Sequence, residues 1–268
     1  MKKYINLDNK YESSYETKLH RIKDAGFDGV FLHSKHEPQK YINCIIHLGL
    51  EIETLHLPYK KYKNGILIDS RYVNAIWTGG TLAEEYIREL FGEIDFANQF
   101  NIPTVVMHIT GGDNPPKTNA NSLTYIEMVL SHCEKYGITL CLENLRRLDY
   151  LQYVFDNLSS PNLKFCFDSG HANVMTHNVA TFPWDVFGSK LSCLHLNDNH
   201  GSKDEHLPPL YGNILWEPLI KKITKFKADV NFTLEVRSSE IQRQTMLEEE
   251  YLALCINSLY SLEKLKEI

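Results

Sequence analysis

Four residues of this chain have the types and the placement to hold a divalent ion: Glu143, Asp168, His195 and Glu235. Each closes a short run of β-forming residues, in "TLCLE", "KFCFD", "CLH" and "FTLE". A carboxylate at the end of a buried strand needs a partner, because an isolated ionised group is too costly to bury. Three carboxylates and an imidazole gathered together repel one another unless a cation neutralises them. The set is oxygen-rich with one nitrogen. That composition suits zinc or manganese, and magnesium or cobalt as well, without choosing among them. His56 and His108 end two further β-runs, so six consecutive runs finish in a metal-ligating residue type. His171, Asp204 and His206 lie close behind, as substrate contacts or as ligands of further ions. Arg237, two residues after Glu235, suits a substrate hydroxyl or phosphate, or a salt bridge to a strand-end carboxylate.

The elements that position these groups alternate. β-rich runs at 3–7, 28–33, 50–58, 102–109, 137–144, 163–168, 191–198 and 230–237 are separated by helical patterns at 13–25, 37–48, 81–99, 119–136, 148–158, 182–189, 214–228 and 240–265. Strands alternating with helices imply parallel pairing through crossovers. Eight such units in 268 residues, with no glycine-rich GxGxxG loop after the first strand, predict a single (β/α)8 barrel spanning residues 1–268. Thr81 with Glu84 reads as a capping box, and Gly26, Gly49 and Gly137 read as helix C-terminal glycines. Cys141, Cys166 and Cys193 stand two residues before Glu143, Asp168 and His195, so they should pack the layer beneath the polar one. The long segment 59–80 after the third strand reads as an extended loop with basic and aromatic residues.

Composition narrows the class. Hydrophobic residues make up 43% and charged residues 23%, as in a globular enzyme-sized domain, and the net charge of -6 argues against a general nucleic-acid binder. Six scattered cysteines without a CxxC pair, no apolar leader and no membrane-length apolar run predict a cytoplasmic protein with free thiols. His33, His36 and His47 read as surface residues, and His177 and His200 as loop residues. Phe182, Trp184 and Trp216 read as helix packing.

The segments "LCLENL", "FCFDSGHAN", "LHLNDNHGSKDEHLPPLYGNILW" and "TLEVR" resemble the xylose-isomerase-like TIM-barrel superfamily. That superfamily holds sugar and sugar-phosphate isomerases and epimerases, and also the endonuclease IV group. The resemblance runs from about residue 28 to 237 and is most specific over 141–237. The isomerase branch often reads HxxDNxGxxDxHLPPGxGxIxW, and Tyr211 departs from the usual turn. The resemblance implies a single ion on Glu143, Asp168, His195 and Glu235, with Glu143 and Glu235 as the acid–base pair and a small sugar or sugar phosphate as substrate. The endonuclease reading instead implies a trinuclear zinc site acting on abasic DNA. His56, His108 and bridging Glu143 would serve one zinc; Asp168, His195 and Glu235 the second; His171, Asp204 and His206 the third. Lys60, Lys61, Lys63 and Arg71 would then grip a DNA backbone. The first strand "YINLDNKYE" and the stretch "MHITGG" depart from the endonuclease pattern, so the isomerase reading is preferred. A sugar-binding barrel without activity fits less well, because the acid–base–metal set is intact. A homo-oligomer is compatible with the residues, and no membrane partner is expected.

Overall fold

The structure, a computed structural model, describes residues 1–63, 66–68, 70–176 and 178–266. In chain order the elements begin with β1 (Lys3–Ile5), α1 (Tyr15–Asp24), β2 (Gly29–His33), α2 (Ile42–His47) and β3 (Glu51–His56). A short hairpin of β4 (Lys61–Lys63) and β5 (Ile66–Ile68) follows, then the one-turn helices α3 (Ser70–Val73) and α4 (Ala75–Thr78). Next come α5 (Thr81–Gln99), β6 (Thr104–Met107), α6 (Ala120–Lys135), β7 (Thr139–Glu143) and α7 (Leu148–Asn157). The chain continues with β8 (Leu163–Asp168), α8 (Ser169–Thr176), α9 (Trp184–Phe187) and β9 (Leu191–His195). It finishes with α10 (Trp216–Phe226), β10 (Phe232–Leu234), α11 (Glu240–Thr245) and α12 (Glu248–Lys264).

Apart from the hairpin, the strands form one eight-stranded sheet in the order β10-β1-β2-β3-β6-β7-β8-β9. The bridge Leu196↔Leu234 joins the two ends of that order, which makes the sheet a nearly closed (β/α)8 barrel, as the alternation predicts. His56, Glu143, Asp168 and His195 are the last residues of their strands, and His108 and Glu235 follow theirs directly. In this fold the C-terminal strand ends carry the chemistry.

By its packing the chain divides into two compact units, one of residues 1–32, 37–53 and 167–268 and the other of 33–36 and 54–166. In the first unit β1 pairs with β2 and β10, with Lys3 opposite Phe232 and Ile5 opposite Leu234. The segment after β1 clasps the segment after β10. Asn6 holds Val236 at both ends, its Nδ2 donating to the carbonyl at 3.1 Å and its Oδ1 accepting the N–H at 2.9 Å. Asn9 receives the Ser238 hydroxyl on its carbonyl and donates to Glu248 Oε1 at 2.5 Å. Glu248, 3% exposed, also takes Lys18 Nζ at 3.3 Å, the Ser13 hydroxyl at 2.6 Å and the Arg21 guanidinium at 2.5 Å. A buried carboxylate is tolerated here because its oxygens are fully engaged.

In the second unit α5 buries Ala83, Tyr86, Ile87, Leu90, Ile94 and Ala97, the three-and-four spacing of one helical face. The later part of the segment 59–80 is packed: Tyr72, Val73, Ala75, Ile76 and Trp77 are buried, and the Trp77 indole donates to the Ile109 carbonyl at 2.5 Å. Asn64, Gly65 and Asp69 of this segment, and His177, lie outside the described residues.

Three local expectations change. Thr81 is the first helical residue of α5, not its cap; Gly80, at φ 77°, occupies the cap position without a side chain to donate to. The helix expected over 240–265 is split, because Met246 and Leu247 are extended and Glu248–Glu250 start a new first turn, where acidic residues are favourable. α8 was not expected at all. Gly26, Gly49 and Gly137 do take positive φ, as C-terminal glycines should. Cys141, Cys166 and Cys193 are buried, as a packing layer requires.

The engagement of Glu248 generates a pH dependence. Burial pushes its carboxyl up, but the hydrogen bonds from Ser13, Asn9 and Arg21 outweigh this and hold it below its ordinary value of 4.5. A depressed folded pKa contributes stability above the unfolded value and loses it as pH falls. Glu248→Gln should therefore cost about 3 kcal/mol in urea unfolding at neutral pH. The gap to wild type should narrow as the pH drops below 4.5; a constant gap would contradict this role.

Candidate metal centre

The second unit assembles a compact donor set. His56 Nε2 lies 3.3 Å from His108 Nε2, and each lies close to Glu143 Oε2, at 3.3 and 3.2 Å. These three groups offer ligand atoms all within 4.8 Å of one another. Glu143 is 1% exposed. The His56 Nδ1 sits 2.8 Å from the Leu57 carbonyl, which can only accept, so Nδ1 carries the proton and Nε2 presents a lone pair. The His56 lone pair, the His108 nitrogen and the Glu143 carboxylate converge as donors that a divalent ion would satisfy. The donor set therefore fits a divalent ion, and fixing the tautomer through the far nitrogen is how metal-ligating histidines are commonly held.

Around this group lies an imidazole and tyrosine cluster. The Tyr59 ring centre is 4.5 Å from that of His108, and His33 stacks on His56 at 4.6 Å with 11° between planes. His33 is 7% exposed, so the expectation of a surface histidine fails. Burial, and then the neighbouring His56, hold its imidazole well below the usual histidine value.

The first unit holds the other ligand types. His195 Nδ1 is 3.4 Å from Glu235 Oε2, and Phe31 stacks on the His195 ring at 4.7 Å, fixing its plane. Asp168 is fully buried. Its Oδ1 accepts the backbone N–H of His171 at 2.6 Å, and its Oδ2 accepts from Asn197 Nδ2 at 3.0 Å. The first bond is a helix cap, and it explains α8: the strand runs straight into a helix whose third N–H the Asp168 carboxylate satisfies. Gly170 is required there because a Cβ would fall 1.8 Å from Asn197 Oδ1.

His171 Nε2 and His206 Nε2 both face Asp204 Oδ2, at 3.6 and 2.8 Å. His206 Nδ1 is bonded to the Glu235 carbonyl at 3.0 Å, which again leaves Nε2 to meet the carboxylate through a proton or a cation. Burial pushes Asp204 up, but hydrogen bonds from His171 and His206 dominate and hold it far below the carboxylate range. Burial lowers His206, and its bond to Asp204 more than offsets this and raises it. Arg237 Nε lies 3.5 Å from Asp8 Oδ2, an ion pair with a carboxylate of the segment after β1. His200 pairs with Glu205 at 2.8 Å on the surface.

The motif from Asn197 to Trp216 is organised by Asp198, a residue the sequence reading passed over. Its Oδ1 accepts from the N–H groups of Asn199 and Ile214 at 2.9 and 3.2 Å. Its Oδ2 accepts from Leu210 N–H at 3.0 Å and the Trp216 indole at 2.8 Å. Gly212 is needed because a Cβ would meet Asp198 Oδ1 at 2.3 Å. The departure from the family pattern falls on Leu210 rather than Tyr211: Leu210 takes φ 77°, backbone that favours glycine.

Lys61, which the endonuclease reading would place on a DNA backbone, binds Glu85 at 2.9 Å and Glu89 at 3.4 Å on α5. Among the described residues no helix is long and apolar enough to cross a membrane.

The chain belongs to the xylose isomerase-like TIM barrel family, whose profile matches residues 19–255. It is 27% identical over 158 residues to the uncharacterised protein y4fM of Sinorhizobium fredii, covering 53% of this chain and 50% of that one. The chain thus matches only about half the length of such curated relatives. Among solved structures it is similar to a D-tagatose 3-epimerase-like protein, with a TM-score of 0.74 at 20% identity over 100% of this chain and 97% of the other. It is also similar to the IOLI protein with a binding zinc atom, with a TM-score of 0.73 at 15% identity over 98% of each chain. At these identities the likeness is one of fold.

Two outcomes are expected. Asn197→Ala removes the partner of Asp168 Oδ2 and should weaken zinc or manganese binding about 10- to 100-fold in a chelator competition; unchanged affinity would remove Asn197 from the site. Leu210→Gly should relieve the left-handed backbone and stabilise the fold by about 1 kcal/mol in urea unfolding, whereas a loss would show that the exposed leucine packs productively.

Proposed function

We propose that the protein is a divalent-metal-dependent isomerase or epimerase acting on a small sugar or sugar phosphate. The observation that carries this reading is the pair of strand-end carboxylates Glu143 and Glu235, each within 3.4 Å of an imidazole nitrogen. A carboxylate at each strand end, set beside an imidazole, is the group type that proton transfer at a substrate carbon needs. The resemblance to sugar-epimerase structures supports the same reaction class.

In this reading Glu143, Asp168, His195 and Glu235 hold the ion. When bound, the ion polarises a carbonyl oxygen of the substrate and acidifies the neighbouring C–H. Zinc and manganese both suit the ligand set. Glu143 and Glu235 would serve as the acid–base pair: one would remove the proton from the substrate carbon and the other return one, inverting the centre or moving the carbonyl. Asn197 keeps the Asp168 carboxylate oriented, and Phe31 keeps the His195 ring in plane.

A second reading, the endonuclease-like trinuclear zinc site, is favoured by one specific observation. His56, His108 and Glu143 are assembled as a ligand cluster, and His171 and His206 both turn Nε2 toward Asp204. Against it, Lys61 is neutralised within its own unit by Glu85 and Glu89.

Elemental analysis and solvent exchange separate the two. The isomerase reading expects about one ion per chain and incorporation of solvent deuterium into an active ketose. Glu143→Gln and Glu235→Gln should each depress that incorporation at least about 100-fold. Exchange persisting in either variant would defeat the two-carboxylate mechanism. About three zincs per chain with cleavage of an abasic duplex would establish the second reading instead.

A further inference from the structure

The sequence gives His33 no role, yet in the structure it closes β2 as the ligand types close theirs. It belongs to the unit that holds His56, His108 and Glu143 and is more than nine-tenths buried there. Its Nδ1 accepts the backbone N–H of Lys35 at 3.3 Å. An imidazole that accepts at Nδ1 is neutral and carries its proton on Nε2. That Nε2 is buried and has no hydrogen-bond partner among the described residues. Leaving such a donor unmet costs about 1–3 kcal/mol, so its retention beside a ligand cluster calls for an acceptor that arrives from outside.

His33 is poorly placed as a ligand of the ion that His56 fits. An imidazole coordinates in the plane of its ring, and the two rings are stacked with only 11° between planes. An ion in the plane of His56 lies out of the plane of His33. What remains is the Nε2–H itself, flanked by Tyr59, whose ring centre is 5.5 Å from that of His33 and 4.5 Å from that of His108. A neutral donor beside an aromatic ring suits an uncharged hydroxyl or carbonyl oxygen on a molecule with an apolar C–H face, which is the chemistry of a sugar.

The geometry points to His33 as a specificity-determining residue, donating Nε2–H to an oxygen of the bound sugar beside the His56–His108–Glu143 group. This rests on the sugar isomerase reading for the identity of the ligand, but the donor assignment stands on its own geometry. Ser34 helps hold the arrangement, its hydroxyl donating to the His56 carbonyl at 3.0 Å.

Two variants of the metal-loaded protein test it. His33→Phe keeps the stacked ring and removes the donor; His33→Gln keeps an N–H at a similar reach. Zinc affinity should stay within about threefold of wild type in both. Binding of D-tagatose, D-fructose and L-ribulose, followed by calorimetry, should weaken about 10-fold or more in His33→Phe and recover in His33→Gln. Equal loss in both variants, or no loss in either, overturns the proposal, as does a matching loss of zinc. If wild-type protein binds none of these ketoses, the sugar reading fails, and the donor assignment is then decided by the imidazole nitrogen spectrum. A neutral His33 protonated at Nε2 upholds the donor; protonation at Nδ1 or at both nitrogens overturns it.

Discussion

Charge compensation at buried strand ends is the constraint on which the rest of this structure depends. Glu143 and Asp168 are both almost wholly buried, and a carboxylate so placed must be met on every side. Around Glu143 the answer is two imidazole nitrogens. Around Asp168 it is a helix N-terminus and an asparagine amide. The two solutions differ in what they leave over. The backbone and amide donors at Asp168 orient an acid, while the imidazole nitrogens at Glu143 are groups that a cation could share with it.

The same constraint reaches the chain termini. The strand bearing Glu235 is held through Val236 by Asn6 and through Ser238 by Asn9, and Asn9 is held by Glu248 on α12. A carboxylate at the C-terminal end of β10 is thus located by a polar cluster whose own members come from the first twenty-one residues and the last helix. Packing alone would fix the strand; the asparagines fix its register and reach.

Much of this was legible in the sequence, for identifiable reasons. The alternation of strand and helix, and the recurrence of a ligand type after each apolar run, are periodic signals, and Glu143, Asp168 and His195 end their strands where those signals put them. His33 was missed because "GVFLH" reads as an apolar strand followed by a surface turn, and nothing local announces that the ring folds back onto His56. α8 was missed because a glycine and a short polar run argue against a helix; Asp168 supplies the cap from outside that run. Asp198 was missed because its partners, Leu210, Ile214 and Trp216, are brought to it only by the fold.

Those bonds to Asp198 have a consequence for how the protein can change. Leu207 also pairs with the Asp198 backbone in both directions, so Asp198 alone holds the excursion from 199 to 216 at five of its residues. Between the attachment points the side chains of Leu210, Tyr211 and Leu215 stand half-exposed or more and bear no part of the suspension. Such a rim can be redecorated by substitution without being rebuilt, which would let its recognition of other molecules drift while the barrel beneath keeps its shape.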